Sequence, residues 1–166
     1  MTSHYVKANQ ILPSMPGTAV AELMAAVLDK DMPFRFCAPG FSMTPFIRDG
    51  DMITIASRRL RCGDVVAFVN SNCGKLIVHR IVHISRERYL IKGDNAREPD
   101  GCVSRSSILG RVIRVEHRGR QVWLGTGIER VVIAFLSLHG WLMPVVWTVW
   151  GIVKPFAGRW TRRWIE

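Results

Sequence analysis

The rhythm of apolar positions changes twice along this 166-residue chain. Up to residue 32 the only ordered pattern is at 18–28, where Val20, Leu23, Met24, Val27 and Leu28 recur at helical spacing. Thr18 stands where an N-cap belongs, so a helix of about three turns is expected there. From residue 33 the runs become short, rich in Val, Ile and Phe, and are interrupted by turn residues. Strands are expected at 34–38, 52–56, 65–70, 75–85, 89–92, 107–116 and 121–123. The turns between them carry Asp49-Gly50, Cys62-Gly63-Asp64, Asn72-Cys73-Gly74 and Arg118-Gly119. This texture predicts a small, irregular, mainly β, barrel-like fold. From 131 to 153 the chain has no Asp, Glu, Lys or Arg, which predicts a hydrophobic C-terminal helical segment. The expected organisation is an N-terminal segment at 1–32, a β-rich domain at 33–125 and a hydrophobic segment with a basic, Trp-containing tail at 126–166.

That last segment is long enough for a transmembrane helix, which takes about 20 residues. Trp141, Trp147 and Trp150 lie inside it, and Lys154, Arg159, Arg162 and Arg163 follow, as at a membrane boundary. His139, Gly140 and Pro144 offer the alternative of two shorter amphipathic pieces in the interface. A third alternative is a soluble hairpin packed on the domain; contact with membrane lipid is expected in the first two. Basic residues flank both ends, so they do not orient it. Residues 1–10 are polar and lack the apolar core of a secretory leader, which favours the cytoplasmic face for the β domain.

Composition narrows the classes. Apolar residues make up 48% and charged residues 22%, so the chain can bury a core and is not disordered. The +10 net charge suits nucleic acid, anionic headgroups or an acidic partner. It is spread out rather than gathered on a recognition helix, so no nucleic acid is expected. Cys37, Cys62, Cys73 and Cys102 form no CxxC pair; they are expected to be reduced thiols, mostly filling the core, with no metal site.

Three stretches carry candidate chemistry. Gly40-Phe41-Ser42-Met43-Thr44-Pro45 holds a serine in a stiff Gly/Pro turn, which suits a nucleophile. A hydroxyl needs a base. The strand 76–83 supplies His79 and His83, two candidates on one face about 13 Å apart. Only one of them can reach Ser42. The loop Lys92-Gly93-Asp94-Asn95, continuing to Asp100, supplies carboxylates that could orient an imidazole.

In order and spacing, Gly40-x-Ser42-Met43-x-Pro45, Gly50-Asp51, Gly63-Asp64-Val65-Val66-Ala67-Phe68, Val78-His79-Arg80-Ile81-Val82 and Lys92-Gly93-Asp94-Asn95 resemble the type I signal peptidases. The resemblance covers about 34–115. A histidine stands where the common bacterial branch has a lysine, as in the endoplasmic reticulum and archaeal enzymes. It implies a serine endopeptidase that cleaves a leader peptide or precursor protein, with Ser42 as nucleophile and His79 as general base. Asp100 is the favoured partner of His79, with Asp94 supporting or alternative. No cofactor is implied. The substrate would be an extended peptide or preprotein added to a sheet edge, at 34–38 or just before His79. The chain departs from the family in having its apolar segment after the domain instead of just before the serine. Three alternatives stand beside this reading. One is a self-cleaving repressor-like regulator with a Ser/Lys dyad. Another is Lys75 or Lys92 as the base. The third is a membrane-tethered binding module without activity.

Overall fold

The computed structural model describes residues 6–7, 17–70, 74–122, 127 and 129–160, excepting the side chains of 6, 7, 150 and 153–160. The elements follow as β1 (Val6–Lys7), α1 (Gly17–Leu28), β2 (Phe34–Cys37), β3 (Met52–Ala56), β4 (Val65–Val69), β5 (Leu76–Ser85), β6 (Arg88–Lys92), β7 (Gly101–Ser104), β8 (Ile108–His117), β9 (Arg120–Val122), α2 (Arg130–Leu138) and α3 (Leu142–Trp160). The fold is mainly β, as the alternation predicts. Two short strands escape the pattern: β1, in a polar stretch, and β7, in the loop after Asp94. Each is held by its neighbour's backbone more than by an apolar repeat of its own.

The sheet runs β1-β2-β3-β8-β4-β5-β6-β7, with β9 paired to β8. All pairs are antiparallel except β1–β2, where Val6 lies opposite Phe34 and Lys7 opposite Arg35. Two apolar clusters fill the sheet. One joins Met24 and Leu28 of α1 to Phe34, Phe36, Ile53, Ile55, Val112 and Val115. This explains the helical spacing at 18–28: α1 buries Val20, Met24 and Leu28 and leaves Leu23 half exposed. The other joins Val66, Phe68, Ile81, Ile91 and Ile108.

A bulge in β5 changes one expectation. Ile81 pairs with Ile91 but His83 pairs with Leu90, so the register slips between them. A slip ends the period-two alternation. His79 is buried and His83 is exposed.

The apolar run at 131–153 is not one helix. α2 ends at a left-handed Gly140, with φ +72°, and the two helical axes turn through 118°. Pro144 does not break anything, because it falls in the first turn of α3. No single described helix is long and apolar enough to cross a membrane. Ile133 of α2 and Leu142 of α3 form a third cluster with Phe46. Cys37 and Cys102 are exposed and Cys62 is half-buried, so these three are not the core fillers expected. Cys73 lies outside the described residues.

Candidate active site

The nucleophile candidate is set by a compact loop between β2 and β3. Gly40 N–H donates to Asp49 Oδ1 at 2.7 Å, and Arg48 N–H donates to Asp51 Oδ2 at 2.8 Å. Ala38 and Gly50 close the base of the loop, with Gly50 N–H bonded to Ala38 O at 3.0 Å. The Thr44–Pro45 peptide is cis. Met43 and Ile47 point into the first cluster and Phe46 into the third. Anchored by three buried side chains, the loop leaves Ser42 exposed at its tip.

Ser42 meets the histidine of β5. Its Oγ lies 2.8 Å from His79 Nε2, and His79 Nδ1 lies 2.5 Å from Asp100 Oδ2. His79 is 7% exposed. Its ring packs obliquely on Phe68, with centroids 6.5 Å apart. A carboxylate on Nδ1 fixes the tautomer that leaves Nε2 free to take a proton. Serine, histidine and carboxylate therefore form one linear relay, drawn from the loop before β3, from β5 and from the residue just before β7.

Asp94 is not in that relay. Its two carboxylate oxygens accept from Arg80 Nε at 2.8 Å and Arg80 Nη2 at 2.7 Å, and Arg80 Nη1 donates to Gly63 O at 2.8 Å. Arg80 is 0% and Asp94 2% exposed, and the Phe46 ring lies 5.5 Å from the guanidinium carbon. The pair is a fork-to-fork bond closed off from solvent. Of the two carboxylates the sequence left open, Asp100 reaches the imidazole and Asp94 holds its neighbour.

The Gly93–Asn95 turn grips the nucleophile segment. Asn95 N–H donates to Ser42 O at 2.8 Å, and its side-chain amide to Phe41 O at 3.3 Å. A methyl group at Gly93 would stand 2.9 Å from Ser42 O and 3.0 Å from His79 Nε2. Only glycine lets these segments meet. Sequence reasoning quoted Asn95 and Arg80 within motifs without giving them work, and gave Phe46 none.

The rival bases lie elsewhere. Lys92 is buried, but its Nζ donates to Ser137 O of α2 at 2.5 Å. Lys75 is exposed. The thiol of Cys37, at the end of β2, is pushed above the ordinary thiol range by burial first and then by Asp49 and Asp51. Burial also raises the Cys62 thiol, with Asp64 adding to it and a backbone hydrogen bond at Gly63 opposing.

Two sheet edges flank the relay. Among the described residues, β2 beyond Arg35 has no second strand beside it, and β5 before Arg80 is not paired on its β6 side. No curated protein matches the chain significantly. The family model described as Peptidase S24-like matches residues 18–113, a span that contains Ser42, His79, Asp94 and Asp100. The chain belongs to the Peptidase S24-like family.

Proposed function

We propose that this chain is a serine endopeptidase of the signal peptidase type, which cleaves a leader peptide or precursor protein at or near a membrane. The observation that carries the reading is the unbroken Ser42–His79–Asp100 relay, with contacts of 2.8 and 2.5 Å. In the proposed reaction Ser42 Oγ attacks the peptide carbonyl carbon while its proton passes to His79 Nε2. The tetrahedral oxyanion accepts from backbone N–H groups, that of Ser42 among them. As the C–N bond breaks, Nε2 gives the proton to the leaving amine. Water then adds to the acyl-enzyme, Nε2 takes the water's proton, and Oγ recovers it as the ester breaks. Asp100 balances the imidazolium at both stages.

The open edges of β2 and β5 support an extended peptide as substrate, bound by strand addition, with alternate side chains in pockets. The bond from Lys92 Nζ to Ser137 O argues against Lys92 as the base.

Ser42→Ala and His79→Ala are each expected to lower cleavage of a reporter precursor by at least about a thousandfold, while Lys75→Ala keeps it. Full activity in His79→Ala would end this reading. So would loss of activity in Lys75→Ala alone.

A second reading, cleavage of the chain itself, is favoured by one observation. The chain's own β1 lies parallel along the start of β2, the strand that leads to Ser42, and the family's reach includes self-cleaving repressor-like proteins. Intramolecular cleavage would proceed at a rate independent of protein concentration. Cleavage of an added precursor, rising with enzyme concentration while the chain itself stays intact, would exclude it.

A further inference from the structure

The C-terminal helices pose a problem that the catalytic relay does not solve. One face of α2 is committed to the domain. Ile133, Ala134 and Ser137 are buried, Lys92 Nζ holds Ser137 O at 2.5 Å, and Arg130 Nε lies 3.3 Å from Asp64 Oδ1. The other face carries Val131, Val132, Phe135 and Leu138, all exposed. Around the bend the exposed apolar residues continue with Trp141, Val145, Trp147, Val149 and Ile152. Trp147 is 67% and Trp141 60% exposed. Apolar exposure on this scale, running over two consecutive helices, is unusual for a surface that meets only water.

Charge says what covers it. From residue 131 to 165 there is no Asp or Glu, while Lys154, Arg159, Arg162 and Arg163 follow the apolar run. An apolar face with tryptophans, followed by four cations and with acids only at its two outer ends, Glu129 and Glu166, complements acyl chains beneath anionic headgroups. A protein partner or a second copy would be expected to find anions there as well as cations. Geometry says how it is covered. Nine residues of α2 span about 13 Å, less than half the roughly 30 Å of a hydrocarbon core. The 118° turn keeps α3 from extending it. Threading α2 through a bilayer would also break its bonds to Lys92 and Asp64.

We propose that α2 and α3 form a monotopic foot. It lies in the surface of an anionic bilayer without crossing it, with its inner face still bolted to the catalytic domain. This deepens the membrane part of the function proposed above and rests on it only there; lipid docking needs no cleavage. The foot and the nucleophile loop share one cluster, because Phe46 packs on Ile133 and Leu142. Docking would therefore hold the Ser42 loop at a fixed place relative to the lipid plane.

The test is flotation of the full chain with vesicles of phosphatidylcholine alone, and of phosphatidylcholine with an equal part of phosphatidylglycerol. Binding to the mixed vesicles, weaker binding to the neutral ones and release by alkaline carbonate are expected. The triple variant Phe135→Ser, Trp141→Ser, Trp147→Ser changes only exposed side chains. It should partition about a hundredfold more weakly and still cleave a short soluble peptide at the parent rate. The proposal is overturned if the chain stays with the protein fraction in both lipids, or if the triple variant floats like the parent. Retention through carbonate extraction would mean a spanning segment instead. A parent dimer that the triple variant dissolves, without vesicle binding, would give the face to a second copy. A parent that floats but cleaves nothing would sink the peptidase reading and leave the foot standing.

Discussion

Asp100 shows how much of the site rests on single atoms. Its carboxylate meets His79 Nδ1 at 2.5 Å, so an amide in its place would favour the wrong tautomer. Asp100→Asn is expected to lower kcat on the order of a thousandfold or more with the fold retained. Steady-state kinetics beside a thermal melt would check this, and an active Asp100→Asn would remove the carboxylate from the relay. Gly93 acts by having no side chain. Gly93→Ala would press on Ser42 O and His79 Nε2, so lost activity with little change in global stability is expected. A third residue tests the electrostatics of the same loop. Burial, Asp49 and Asp51 raise the Cys37 thiol, and a raised thiol holds less thiolate at neutral pH. Iodoacetamide should label Cys37 more slowly than a free cysteine peptide, and Asp49→Asn should speed the labelling. Equal rates in parent and variant would show that Asp49 exerts no such influence.

Elements differ in how clearly they announce themselves. The helix at 18–28 and the strands β3, β4 and β8 were legible because each buries a regular apolar set. The candidate residues were legible too, because the motifs around Ser42, His79 and Asp94 keep their order and spacing. Asp100 was favoured over Asp94 as the partner of the imidazole only through the resemblance, and nothing in the local pattern separates the two. Asp94 and Asp100 differ in what lies across from them after folding, and Arg80 takes the nearer one. The bulge in β5 was equally invisible, since nothing in Ile81, Val82 and His83 marks a slipped register. The buried Arg80–Asp94 pair ties β5 to the loop after β6. Removing one partner strands a buried charge, so Asp94→Ala is expected to cost about 3–5 kcal/mol in urea unfolding. A variant as stable as the parent would show that water reaches Arg80 and that the pair holds little.

At the scale of the whole molecule, the third apolar cluster decides what counts as one unit. The expected division after residue 125 separates a β domain from a hydrophobic segment. Yet α2 reaches back into that domain three times, at Lys92, Asp64 and Phe46. It also lies against Gly63, where a methyl group would come within 2.7 Å of Arg130 O. Two of those contacts adjoin the site in sequence: Lys92 precedes Gly93, and Phe46 belongs to the loop that carries Ser42. The family match ends at residue 113, before any of them is complete. A polypeptide trimmed to that match would keep every reacting atom and lose the contacts that α2 makes. It should melt early or precipitate, and a preparation meant for enzymology needs to run at least through Leu142.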